Sequence, residues 1–337
     1  MTPGAPRQRP VVAVLVGGHG QRPPGLEPVA EAAVVRYAAS LHELRDALDG
    51  ADAVLVWNFQ SSMLRDAWAH ARHLRWIHVA AAGVDTVLFP ELASSDVILT
   101  NSRGVFDHAI GEYVLGLMLS FVKDVPATID LQRRHAWQFR ETAMLRGQTV
   151  LVVGAGGVGL AIGRLARCLG MRVIGAARTA RPSDPDLGRI VAARDLEAVL
   201  AEADYVAVAA PLTPETKGMF GAAAFARMKP TARLINVGRG PIVDEDALLA
   251  ALRSKRIAGA ALDVFTEEPL PADHPFWDLA GVIVSPHMSG DFAGCQAALS
   301  ELFRENFARW RHGEPLLNVV DKRRGYVPTQ TGGRDEA

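Results

Sequence analysis

Cysteine is nearly missing from this chain: Cys168 and Cys295 are the only two in 337 residues. Two thiols cannot supply a disulfide framework and have no metal-ligand spacing, so neither a stapled secreted scaffold nor a metal site is expected. Cys168 falls inside a helical pattern and reads as a small buried hydrophobe. No apolar run approaches the roughly 20 residues that span a bilayer, so no membrane association is expected. A net charge of −1 and the lack of any Lys/Arg block leave no basic field for nucleic acid. Met1–Pro10 carries proline and arginine without a long apolar core, does not read as a signal peptide, and sets the expectation of a cytoplasmic protein. Internal repeats, heptads and low-complexity tracts are also lacking.

What the chain does contain is ordinary globular composition, 49% hydrophobic and 22% charged, in a length that exceeds what one core usually serves. Apolar strands alternate with helical segments almost throughout, which predicts an α/β protein with parallel sheets covered on both faces. In the first part the strands are expected at 11–16, 33–37, 53–57, 76–80 and 97–100, with helices at 42–48 and 62–71. A long helix is expected over 106–122. The second part opens on the apolar strand Thr149–Val153 and continues with strands at 172–176, 205–209, 234–237, 259–264 and 282–285, then a helix at 295–311. The polar segment 321–337 reads as a loose tail.

Gly154-Ala155-Gly156-Gly157-Val158-Gly159 matches G-x-G-x-x-G. The pattern alone is a weak signal, but here it follows a strand, opens a helix at 160–169 and precedes another strand. That is the context of a dinucleotide loop: bare backbone admits a pyrophosphate, and a helix N-terminus favours its charge. Sites that prefer NAD place a carboxylate at the end of the next strand, for the ribose hydroxyls. This chain has Ala177-Arg178-Thr179-Ala180-Arg181 instead. Arg178 and Arg181 suit a 2′-phosphate and Thr179 can donate to it, so NADP(H) is the preferred cofactor and NAD(H) a possible one.

Asn236-Val237-Gly238-Arg239-Gly240 sets an arginine between two glycines just past an apolar strand. A guanidinium held there can grip a carboxylate with paired hydrogen bonds, which a lysine cannot match. Glu268, in Phe265-Thr266-Glu267-Glu268-Pro269, and His287, in Val284-Ser285-Pro286-His287, also follow apolar strands. The Gly154 loop, Pro211, Arg239, Asp263 and His287 thus fall at or beyond five strand ends, where open α/β sheets bind ligands. Each alone has a bland reading, as a turn residue, a cap or a solvated carboxylate. Together they describe reduction of a 2-keto acid. Arg239 binds the carboxylate and polarises the carbonyl, His287 is the acid/base, and Glu268 fixes the imidazole tautomer.

These blocks closely resemble the D-isomer-specific 2-hydroxyacid dehydrogenase family, the group of glyoxylate/hydroxypyruvate reductases, D-lactate and phosphoglycerate dehydrogenases. The resemblance runs from about Val54 to Val319 and includes Ala82-Gly83-Val84-Asp85, Asn101-Ser102-Arg103-Gly104 and Pro211-Leu212-Thr213-Pro214-Glu215-Thr216. It implies Arg239, Glu268 and His287 as the catalytic trio. It also implies Gly83 and Val84 as backbone donors to the substrate carboxylate, Ala82 beside them as a substrate-binding residue, and Asp263 as holder of the nicotinamide amide. Dinucleotide contacts extend by the same resemblance to Ala210, Pro211, Thr216, Val237, Gly238, Arg239, His287, Ser289 and Gly290, beside the Gly154 loop. The implied fold is two Rossmann-like doubly wound domains with a cleft between them. A flavodoxin-like substrate domain would comprise 1–104 plus 291–320, and an NAD(P)-binding domain 105–290. A homodimer through the latter is implied too.

The chain departs from the family pattern at Ala177-Arg178-Thr179, which is similar to the NADP-using members. Competing readings are an NAD(H)-binding, redox-sensing corepressor-like module and a formate-type dehydrogenase. The first should favour NAD and carry added partner-binding surfaces, and the second pairs its histidine with glutamine where Glu268 stands here. The substrate is expected to be glyoxylate, hydroxypyruvate or a small apolar 2-keto acid, bounded by Trp57-Asn58-Phe59, Ala80–Gly83 and His135-Ala136-Trp137 of a neighbouring subunit. Gly18–Pro24 reads as a surface insertion.

Overall fold

The structure, a computed structural model, describes residues 9–17, 22–58 and 61–328. The chain divides into two compact units, one built from 1–105 and 293–337, the other from 106–292. All residues of the Gly18–Pro24 loop before Arg22, and Phe59 of the expected substrate pocket, lie outside the described residues.

The first unit holds strands β1 (Val11–Leu15), β2 (Val34–Ala38), β3 (Ala53–Val56), β4 (Trp76–Val79) and β5 (Ile98–Asn101). They form a parallel sheet in the order β2-β1-β3-β4-β5. This is the flavodoxin-like doubly wound order. Helices α1 (Glu27–Ala32), α2 (Leu41–Leu48), α3 (Met63–Asp66) and α4 (Pro90–Ser94) alternate with the strands. The start of α2 is written locally. Ser40 accepts from the Glu43 N–H, satisfying one helix-end donor, and Glu43 reaches back to the N–H of Ala39, the residue before the cap.

The second unit begins with α5 (Asp107–Val122) and α6 (Val125–Arg133), then alternates β6 (Thr149–Val153), α7 (Gly157–Cys168), β7 (Arg172–Ala177), β8 (Ile190–Ala192), α8 (Glu197–Leu200), β9 (Tyr205–Val208), α9 (Ala222–Arg227), β10 (Arg233–Asn236), α10 (Glu245–Arg253), β11 (Gly259–Leu262) and β12 (Val282–Val284). All pairs are parallel, in the order β12-β11-β10-β9-β6-β7-β8, so the chain reverses direction across the sheet between β6 and β9. Both faces are covered, and β6 shows it: Val150 and Val152 enter the core beneath α5 and α7, while Leu151 and Val153 enter the one beneath α9 and α10. A strand buried on both sides needs an unbroken apolar run, which is why Thr149–Val153 is legible in sequence.

The chain returns to the first unit through α11 (Cys295–His312). Phe303 and Trp310 of α11 stack on Trp76 at 5.3 and 5.8 Å between ring centroids. The loose tail expected over 321–337 is corrected for its first part. Lys322 Nζ donates to the carbonyls of Leu92, Ser95 and Val97, and Val327 packs on the core. A lysine that caps carbonyls at and beyond the end of α4 leaves no periodic trace in sequence. Residues 329–337 lie outside the described residues. Cys168 is also corrected, being exposed rather than buried. It closes α7 about 200° around the helix from the buried Ala166. The three-residue β8, too short to show a pattern, escapes sequence reading.

Candidate active site and dinucleotide loop

Register explains why the candidate residues of the second unit share one edge. Along the carboxyl ends, Ala176 pairs with Val153, Val153 with Val208, Val208 with Asn236, Asn236 with Leu262, and Leu262 with Val284. The residues that follow in each strand therefore emerge together: Arg178, Gly154, Ala210 and Pro211, Val237 to Arg239, Asp263, and Ser285 to His287.

The glycine loop meets the demands of a dinucleotide pyrophosphate. Gly154 has φ +112°, and a Cβ on it would lie 2.7 Å from the Ala209 carbonyl oxygen of the neighbouring strand. Only glycine turns there at that distance. A Cβ on Gly156 would meet nothing within 4 Å, so this side of the loop is backbone alone. A Cβ on Gly159 would lie 1.8 Å from the Gly154 oxygen, so α7 seats directly on the loop. The first turn of α7, at Gly157 to Gly159, presents N–H groups with no intrahelical partner, together with the positive end of the helix dipole. These features fit a pyrophosphate. Asp107 went unnoticed in the sequence: a Cβ on Gly157 would sit 1.7 Å from its Oδ2, so its carboxylate lies against the start of α7. As the first residue of an apolar helix it carried no functional signal.

At the end of β7 the two arginines differ. Arg181 exchanges backbone hydrogen bonds with Ile190, and its guanidinium lies 3.6 Å from Asp184, which also accepts from the N–H groups of Asp186 and Leu187. Arg178 lies near Glu215. A hydrogen bond from Thr213, its own backbone N–H and the charge of Arg178 hold the Glu215 carboxyl below its ordinary range. The Thr216 hydroxyl donates to the Pro211 carbonyl at 2.7 Å and accepts from the Thr213 N–H at 2.8 Å, closing the 211–216 loop on itself.

Arg239 is held by its neighbours. The buried Asn236 accepts from the Gly238 N–H at 3.1 Å and donates to the Arg239 carbonyl at 3.1 Å, stapling the turn. Arg239 Nη1 donates to the Gly238 carbonyl at 2.8 Å. Gly240 abuts the backbone of Phe265 and Thr266 so closely that a Cβ would fall 1.9 Å from the Phe265 carbonyl carbon. The arginine turn and the segment leading to Glu268 are thereby pressed together.

His287 adopts a left-handed backbone, φ +52°, uncommon for a side chain with a Cβ. Asp263, 1% exposed, builds that turn. Its Oδ1 accepts from the Ser285 hydroxyl at 2.7 Å and the Met288 N–H at 3.0 Å, its Oδ2 from the Ser289 N–H at 2.9 Å, and its carbonyl from the His287 N–H at 2.8 Å. His287 Nδ1 lies 2.7 Å from Glu268 Oε2, and Glu268 Oε1 accepts from the Phe265 N–H at 2.9 Å. Burial alone would raise the Glu268 carboxyl. The hydrogen bonds from His287 and Phe265, with the charges of His287 and Arg239, more than offset this and hold it below its ordinary range. An anionic Glu268 fixes the imidazole proton on Nδ1 when the ring is neutral and leaves Nε2 for exchange with a ligand. Gly290 follows beside Phe106, where a Cβ would come 3.0 Å from the ring.

Ala82, Gly83 and Val84 follow β4 in the first unit; Ala82 is exposed and Val84 buried. Among the described residues no group of three or more His, Cys, Asp or Glu side chains is placed to hold a metal ion, and no helix is long and apolar enough to cross a membrane.

Residues 115–289 match the family model described as D-isomer specific 2-hydroxyacid dehydrogenase, NAD binding domain. A glyoxylate reductase of Thermococcus gammatolerans is 32% identical over 266 residues, covering 76% of this chain and 79% of its own. Among solved structures, a D-isomer specific 2-hydroxyacid dehydrogenase family protein from Aeromonas salmonicida superposes with a TM-score of 0.82 at 30% identity, covering 94% of this chain and 100% of its own. An NADPH-dependent glyoxylate/hydroxypyruvate reductase from Sinorhizobium meliloti, solved with NADP and sulfate, gives 0.81 at 30% identity, covering 94% and 99%.

Proposed function

Because the chain belongs to the D-isomer specific 2-hydroxyacid dehydrogenases, NAD(P)-dependent oxidoreductases, we propose that it reduces glyoxylate or hydroxypyruvate to the D-2-hydroxy acid with NADPH preferred. The observation that carries this reading is the His287–Glu268 pair at 2.7 Å, on the same sheet edge as Arg239 and the glycine loop.

A nicotinamide dinucleotide, when bound, supplies the hydride. The chain's residues do the rest. Gly154 to Gly159 receive the pyrophosphate on backbone N–H groups, and Asn236 keeps Arg239 turned so that its guanidinium binds the keto-acid carboxylate. As negative charge develops on the carbonyl oxygen, Arg239 stabilises it and His287 Nε2 delivers a proton to it. Glu268 orients the imidazole through Nδ1. Asp263 holds the turn that presents His287, and Ala82 to Val84 add backbone donors for the carboxylate.

Arg178 and Thr179, with no acid at the end of β7, support NADPH over NADH. Of the two arginines, Arg178 is the better candidate for the 2′-phosphate, because it is the first residue past β7 and adjoins Thr179, whereas Arg181 lies further along the loop and is tied to Ile190 by backbone hydrogen bonds. A homodimer through the second unit is supported by the apolar residues exposed in one segment, Val125, Ile129, Trp137, Phe139 and Met144.

The test is initial-rate oxidation of NADPH and, separately, NADH with glyoxylate, hydroxypyruvate, pyruvate and phenylpyruvate, beside an Arg239→Ala control. NADPH-dependent turnover that the substitution abolishes is expected. Tight dinucleotide binding with no turnover on any keto acid would refute the proposal.

A further inference from the structure

A chain of buried polar side chains in the first unit ends at the loop that follows β4. Trp76 Nε1 donates to Thr100 Oγ1 at 2.8 Å; Thr100 Oγ1 lies 2.8 Å from His78 Nδ1; His78 Nε2 lies 3.3 Å from Ser102 Oγ; and Ser102 Oγ donates to the Val79 carbonyl at 3.0 Å. All four side chains are fully buried, and burial pulls the His78 imidazole down to about 3, so the ring is neutral at working pH. Either tautomer places every proton of the chain on an acceptor. Thr100 donates to Nδ1, the Nε2–H to Ser102 and Ser102 to Val79, or Nδ1–H donates to Thr100, Thr100 to the Ile77 carbonyl at 3.3 Å and Ser102 to Nε2.

Val79 immediately precedes the loop, and the neighbours of this chain hold the next carbonyls. The Ser102 N–H donates to the Ala81 carbonyl at 2.9 Å, and Asn101 Nδ2 donates to the Ala82 carbonyl. Asn101, 2% exposed, is itself fixed: its Oδ1 accepts from the Arg103 N–H at 3.2 Å. In a trans peptide the C=O and the following N–H point in opposite directions in one plane. Pinning the Ala81 carbonyl therefore aims the Ala82 N–H away from Ser102, and pinning the Ala82 carbonyl aims the Gly83 N–H away from Asn101.

We propose that Asn101 and Ser102, backed by His78, are positioning residues that orient the Ala82 and Gly83 N–H groups toward the carboxylate of the keto acid. Neither side chain touches the substrate. Both act through peptide planes, and they set how well two charge-assisted hydrogen bonds are aligned. Such bonds need no reorganisation when the donors are fixed beforehand. This inference rests on the proposed keto-acid reductase function.

Steady-state kinetics of Asn101→Asp and Asn101→Ser test it, with glyoxylate or hydroxypyruvate varied at saturating NADPH and then the reverse. Aspartate keeps the size and the acceptor for Arg103 but cannot donate to Ala82; serine, whose hydroxyl is one atom shorter than the amide, withdraws the donor from the Ala82 carbonyl without adding charge. The expected result is a KM for the keto acid raised about 10- to 100-fold in both, the range for a hydrogen bond to a charged group. The kcat should stay within about threefold and the KM for NADPH should not change, since the proton and hydride machinery lies elsewhere. A keto-acid KM within about twofold of wild type in Asn101→Ser overturns the inference, as does a loss confined to kcat. Should Asn101→Asp fail to fold, Asn101→Ser and the KM of Ser102→Ala decide it, with a rise supporting the inference and no change overturning it. If the wild type itself turns over no keto acid with either dinucleotide, the proposed function fails first and the inference falls with it.

Discussion

Two glycine-to-alanine substitutions on the same sheet edge should fail in opposite ways. In Gly240→Ala the new methyl would lie 1.9 Å from the Phe265 carbonyl carbon, 2.1 Å from its oxygen and 2.4 Å from the Thr266 nitrogen. All three are backbone atoms, so no rotamer change relieves the clash and the turn must move by about 1 Å or more to reach ordinary contact. Overpacking of this kind costs about 1–3 kcal/mol, and a domain of this size loses about 2–4 °C of melting temperature per kcal/mol. The displaced turn carries Arg239, and a misplacement of about 1 Å costs about 100-fold in rate. In Gly156→Ala the methyl meets no protein atom within 4 Å. The fold should therefore melt within about 2 °C of wild type, since a substitution free of clash stays within about 0.5 kcal/mol. The methyl would instead stand where the pyrophosphate approaches, and NADPH affinity should drop by about 10-fold or more. Differential scanning calorimetry and NADPH fluorescence titration on both variants separate the two outcomes. A Gly240→Ala protein with wild-type melting and kcat/KM, or a Gly156→Ala protein that binds NADPH normally, would refute the assignment.

Other perturbations read different parts of the site. Arg178→Ala should raise the KM for NADPH about 10- to 100-fold and leave that for NADH unchanged, because the role proposed for its guanidinium is at the 2′-phosphate, which NADH lacks; equal losses with both dinucleotides would contradict this. Asp263→Asn should lower thermal stability by about 1–3 kcal/mol and reduce kcat, since an amide cannot accept from Ser285, Met288 and Ser289 at once; calorimetry and turnover check it. Glu268 has a folded-state pKa below its ordinary 4.5. Its charge therefore contributes stability that is present above pH 4.5 and is lost as pH falls through the lower folded value. The melting difference between wild type and Glu268→Gln should accordingly shrink below pH 4.5, and a difference constant down to pH 2–3 would show that the charge contributes nothing.

Local pattern carried much of this protein. An apolar run such as Thr149–Val153 announces a doubly buried strand, the glycines after it announce a turn into a helix, and the alternation of such units announces parallel sheets. Because parallel strands end in register, knowing the order of elements was enough to gather the Gly154 loop, Arg239 and His287 on one edge. The missing acid after β7 was likewise readable, since that position is defined by the strand that precedes it.

Tertiary structure decided which partner each group takes, because a hydrogen bond or a clash between residues far apart in sequence leaves no periodicity. Arg178 and Arg181 look equivalent in sequence, yet only folding brings Asp184 to Arg181 and Glu215 near Arg178. Asp263 is legible in sequence only as an acid at a strand end; folding brings three donors of the His287 turn to its carboxylate. Asp107 reaches the first turn of α7 across some fifty residues of chain, and Asn101 reaches Ala82 from the neighbouring strand. Residue type and spacing determine which groups are available and which strand end they leave from. Close packing, which admits one neighbour and excludes another at distances near 3 Å, determines what each of them does.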